Sequence, residues 1–134
     1  MEHPDVIESA DQLVRAYNCH DWKTLEDNEA GAMYVNHRQL AGTDPETISD
    51  HWSSIRALAS LIPDMWIEGA EILAYSAVGL VSNVVVKGTT AEGAAIELPA
   101  ITLLLFDGSS VTRMEAFDLA QREQALARFD EFNG

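Results

Sequence analysis

The hydrophobic pattern of this chain changes its period at Pro63, and that change limits the folds open to it. Before Pro63, apolar residues recur mostly at helical spacing. After it, Met65–Tyr75, Val78–Thr89, Ala95–Phe106 and Ser110–Asp118 read as four long β segments with turn signals between them. Asp107-Gly108 is the clearest hairpin turn, a pair suited to positive φ. Leu119 to Phe132 then closes the chain as a helix, with Leu126 and Phe129 as its apolar anchors.

The first half supplies helices and one strand. Pro4 and Asp5 start a helix, Asp5 and Glu8 have capping-box spacing, and Ile7, Ala10, Leu13, Val14 and Tyr17 form its apolar stripe. Asn18 to Asp21 break the pattern, and Trp22 to Asp27 form a short second helix. Gly31 precedes a strand from Ala32 to Arg38, which surfaces in the stretch YVNHRQLAG (Tyr34–Gly42). Thr43, Asp44 and Pro45 start a further helix with its stripe on Ile48, Trp52, Ile55, Leu58, Ala59 and Ile62, and Pro63 stops it. At 134 residues the whole chain, 1–134, reads as one domain around one core.

Ala100–Phe106 is apolar on both side-chain parities: Ala100, Leu104 and Phe106 on one, Ile101, Leu103 and Leu105 on the other. A strand buried on one face alternates apolar with polar. If the helices cover one face, the second needs another cover, and a second copy of the sheet provides it, so a homodimer through the sheet face is expected. The alternative is a barrel-like curl that buries both faces within one chain.

Charge narrows the partners. Eight Lys and Arg against 22 Asp and Glu give a net charge of −14. Such a surface repels phosphate backbones and anionic lipids, so neither nucleic acid nor membrane is an expected partner, and the excess serves solubility. No apolar run approaches the roughly 20 residues of a membrane-spanning helix. The acidic start MEHPDVIESADQ lacks a basic-then-apolar leader, so a cytoplasmic, unprocessed chain is expected. Cys19 is the single cysteine, which excludes an internal disulfide or a multi-cysteine zinc site. His20, His37 and His51 lack metal-ligand spacing, and no phosphate-loop, dinucleotide or nucleophile-elbow pattern occurs, so no metal or cofactor is expected.

The order of elements, with AYNCHDWKTLE (Ala16–Glu26), YVNHRQLAG, TDPETISDHW (Thr43–Trp52) and VTRMEAFDLAQREQALARF (Val111–Phe129), resembles the nuclear transport factor 2-like superfamily. The likeness is to its SnoaL-like and ketosteroid-isomerase-like members and covers nearly the whole chain. It implies an α+β cone: a strongly curved antiparallel sheet with helices over its concave face and an apolar pocket between them. Because this fold hosts enzymes, carriers and scaffolds, it leaves function open.

The resemblance also places side chains. It turns His37 into the cone, and parity adds Met33 and Val35 to the same face of the first strand. Carried over position by position, an isomerase's general base falls at His37, its tyrosine at Leu13 and its acidic donor at Thr102. Leu13 cannot donate a hydrogen bond, so steroid isomerisation is rejected. Looser proton-transfer chemistry needs His37 as base and Asp118 as its orienting carboxylate. Asp118, three residues before Gln121, is equally read as the cap of the last helix. Tyr17, Val35, Trp52, Thr102 and Met114 are the expected ligand wall. Tyr17 and Trp52 also read as core, and Trp52 is the candidate for stacking on a flat ligand. The expected role is binding a small apolar or amphipathic molecule, with isomerase, cyclase or dehydratase activity open. A ligand-sensing or dimerisation domain is the rival.

Overall fold

The computed structural model describes the backbone of residues 4–28, 32–37, 46–108 and 110–133, and the side chains of these residues except 4, 5, 28, 36, 46–54, 69 and 70. Its elements run α1 (Pro4–Asn18), α2 (Trp22–Asn28), β1 (Met33–Asn36), β2 (Glu46–Thr47), α3 (Ile48–Leu61), β3 (Trp66–Tyr75), β4 (Gly79–Thr89), β5 (Ala95–Asp107), β6 (Ser110–Phe117), a 3₁₀ turn (Leu119–Gln121) and α4 (Arg122–Asn133). This is the expected α+β order with one addition, the short strand β2. The expected helix start Thr43–Pro45 lies outside the described residues.

The strands form one sheet in the order β2-β1-β6-β5-β4-β3. From β3 to β6 every pairing is antiparallel, but β1 runs parallel to β6, so the sheet is mixed rather than purely antiparallel. Asp107 pairs with Ser110, which moves the hairpin turn one residue beyond the Asp107-Gly108 reading. Gly108, at φ +62°, supplies the left-handed conformation that the turn needs.

Local chemistry fixes α1 and α2 over one face of the sheet. The Asn18 side chain bridges to β3, accepting from the Ile67 N–H at 2.7 Å and donating to the Ile67 carbonyl at 3.2 Å. Asp21 caps α2 through the Thr24 N–H and hydroxyl. In the corner between the helices, the His20 ring stacks on Trp22 and its Nε2 lies 2.6 Å from the Met65 carbonyl oxygen. The end of α3 comes so close to β4 that a Cβ on Gly88 would collide with the Ile62 side chain.

Two apolar clusters sit on opposite sides of the sheet. Tyr17, Leu25, Tyr34, Met65 and Ala116 belong to the one beneath α1 to α3. Val81, Ile101, Leu103 and Phe117 meet Ala125 and Phe129 of α4 in the other. The second apolar face of β5, expected to need a partner chain, is therefore covered by the closing helix. Ile101 and Leu103 are buried without any second copy.

Candidate functional site

A cavity of about 470 Å³ lies between α1, α2, α3 and the sheet. Strand periodicity decides what lines it, since alternate residues face the helices. Leu80, Ser82, Val84 and Val86 come from β4, and Leu98, Ala100, Thr102 and Leu104 from β5. Met114 and Ala116 of β6 and Tyr34 of β1 continue the floor, while Ile7, Leu13, Val14 and Tyr17 of α1 roof it. The wall is mostly aliphatic. Among the described residues its polar groups are the hydroxyls of Tyr17, Tyr34, Ser82 and Thr102, with Asp11 at the exposed rim, where it pairs with Arg15 at 2.8 Å. Burial pushes the Tyr17 phenol up to about 12, so at neutral pH it stays protonated.

Tyr17, Thr102 and Met114 thus lie in the cavity wall. The side chain of Trp52, like those of Asn36 and His51, lies outside the described residues, as does Arg38. Val35 and His37 are on the other side of the sheet. Tyr34 is the β1 residue that lines the cavity, so the expected register of β1 is reversed: Met33, Val35 and His37 share the far face. Both faces of β1 carry residues that suit burial, and the helices take the one that bears Ala32 and Tyr34, which join Tyr17 and Leu25 in the core.

His37 meets Glu115 there, not Asp118. Its Nε2 is 2.6 Å from Glu115 Oε1, its ring stacks on Phe117 at 4.5 Å between centroids, and its carbonyl accepts from Gln121 Nε2. Asp118 forms a capping box with Gln121 at the head of the 3₁₀ turn, its N–H donating to the Gln121 side chain at 2.8 Å. Parity explains the separation. Met114 and Ala116 face the cavity while Arg113, Glu115 and Phe117 face α4, and the strand ends before Asp118.

Sequence reading passed over Glu115, although it is the most enclosed charge in the described structure. Its side chain is 0% exposed. It receives hydrogen bonds from Arg113 Nε and from Arg128 Nε, the latter 3.2 and 3.3 Å from its two oxygens, as well as the contact with His37. Burial alone would raise its carboxyl, but the bonds from Arg113, Arg128 and His37 outweigh that and hold it below the usual carboxylate range. Both arginines also lie over the Phe132 ring, at 5.4 and 4.6 Å. The cluster ties β6, α4 and the end of β1 together behind the cavity floor. Strand alternation over Arg113–Phe117 was the signal that could have found it.

No protein-family model and no curated protein matches this chain. Solved structures do. A proposed hydroxylase from Streptomyces galilaeus superposes with a TM-score of 0.73 at 13% identity, over 86% of this chain and 79% of that one. A proposed SnoaL-like polyketide cyclase from Jannaschia gives 0.67 at 16%, over 92% of each chain. An NTF2-like protein of unknown function from Burkholderia pseudomallei gives 0.65 at 16%, over 93% and 98%. At such identities the likeness is one of fold: this chain has the α+β fold of NTF2-like and SnoaL-like proteins.

Proposed function

We propose that this chain binds a small apolar or amphipathic molecule in the cavity between the helices and the sheet. The observation that carries the reading is the cavity itself. Its volume of about 470 Å³ falls within the range of small-molecule sites, and a mostly aliphatic wall with a few hydroxyls is the lining such sites have. The test is fluorescence titration with the uncharged probe N-phenyl-1-naphthylamine. Saturable enhancement is expected, weakened more than about tenfold by Ala100→Trp, which fills the floor of the cavity. Enhancement unaffected by Ala100→Trp would place the probe elsewhere and defeat the reading.

A second reading, acid–base turnover of the bound molecule, draws support from the cyclase and hydroxylase activities proposed for similarly folded proteins. In the described wall Tyr17 suits a proton-holding, hydrogen-bond-donating role rather than that of a base. Ligand sensing without turnover asks for no more than the cavity and its hydroxyls.

A further inference from the structure

We infer that the cavity recognises an uncharged oxygen, a ketone or an alcohol, through a cross-strand pair of hydroxyls, Ser82 and Thr102. The inference rests on the binding role proposed above and names the chemistry of the ligand's buried end.

Ser82 and Thr102 stand directly opposite each other on β4 and β5, so their Cβ atoms are about 4.5–5.5 Å apart on one face. That face is the cavity floor. The pairs on either side of them are Val84 with Ala100 and Leu80 with Leu104, and the same row continues to Ile72 on β3 and Ala116 on β6. The two hydroxyls therefore sit in the middle of an aliphatic surface.

Both residues are only 7% exposed, yet neither side chain has a hydrogen-bond partner among the described residues. Neither oxygen is sealed in the way Asn83 Oδ1 is, so with no protein partner beside them both hydroxyls open onto the cavity, where a ligand can take up their hydrogen bonds. Valine would fill either position more favourably if the floor served packing alone. Two adjacent unpaired hydroxyls aimed into a cavity fit a ligand oxygen that bonds to both.

Charge selects the type of oxygen. No described residue of the wall carries a positive charge, and the ionisable side chain at the rim that does carry charge is the acidic Asp11. A carboxylate would lose its hydration here without a cation to offset the loss. A ketone or alcohol carries no such penalty, and its apolar body meets the aliphatic wall.

The experiment is displacement of N-phenyl-1-naphthylamine by 2-acetylnaphthalene, by 2-ethylnaphthalene, which lacks the oxygen, and by 2-naphthoate. For the wild type, the ketone is expected to displace the probe about 5- to 20-fold more effectively than the hydrocarbon, the worth of one or two neutral hydrogen bonds, with the carboxylate weakest. The Ser82→Ala/Thr102→Val double variant should erase the ketone's advantage while still binding the probe, and Thr102→Ser, which keeps the hydroxyl, should preserve it. Equal displacement by ketone and hydrocarbon, an advantage that survives the double variant, or preference for the carboxylate would each overturn the inference. If Ala100→Trp still weakens probe binding more than about tenfold in that event, the cavity reading stands and the hydroxyl pair alone fails. If Ala100→Trp changes nothing, both fail together.

Discussion

Glu115 shows how far one residue's surroundings can differ from what its type suggests. A carboxylate in a strand usually marks a solvated face, but here it is enclosed by Arg113, Arg128 and His37. Removing its charge leaves two guanidinium groups with their desolvation partly uncompensated. Glu115→Gln is therefore expected to cost about 3 kcal/mol in urea unfolding. The sign of the pH dependence follows from its lowered carboxyl. The cluster's contribution is fully present above the unfolded carboxyl value of about 4.3 and is lost as pH falls through the lower folded value. Across that acid window the wild type should lose stability more steeply than Glu115→Gln, and matching slopes would contradict the assignment. In the same assay His37→Ala should lower stability by about 1–2 kcal/mol and leave probe affinity unchanged, because the ring faces away from the cavity. A loss of binding in that variant would return His37 to the site.

At the scale of elements, α4 decides what the sheet's second face does. Ala125 and Phe129 fill the apolar surface made by Val81, Ile101, Leu103 and Phe117. Leu126 and Phe129 were legible as anchors from helical spacing, but the surface they anchor to was not. Periodicity says that a helix has an apolar stripe, whereas only the chain path says which stripe meets which face. Phe129→Ala should cost about 3–5 kcal/mol in unfolding free energy through the cavity it leaves. Under native conditions it should bind the probe normally, since the helix and the cavity lie on opposite sides of the sheet. An equal loss of stability and affinity would mean that α4 also shapes the site. The β1 register is the counterpart. Tyr34 and Val35 both suit burial, so four residues of strand carry too little pattern to choose a face, and contact with β6 and the helices chooses it.

For the whole molecule, assembly through the sheet remains a proposal, now confined to the stretch of β3 to β5 that α4 leaves uncovered. Val85 faces that way opposite Pro99, and next to it Asn83 has a buried Oδ1 without a hydrogen-bond partner among the described residues. A second copy would give both a neighbour. Sedimentation should show a dimer, strengthened by salt because each chain carries a net charge of −14, and Val85→Glu should dissociate it into folded monomers. A wild type that stays monomeric at high salt would end the proposal. Leu103→Glu cannot serve as this test, since Leu103 is buried under α4 and its replacement would unfold the monomer. The sequence alone determined the change of period at Pro63 and the order of helices and strands apart from the short β2. These depend on local propensity and on alternation along a single strand, which are written in neighbouring residues. Tertiary structure alone decided that α4 takes the second face of β5, that His37 turns away from the cavity to Glu115, and that Ser82 stands beside Thr102. Each of those joins residues distant along the chain, and no local pattern records which distant partner will arrive.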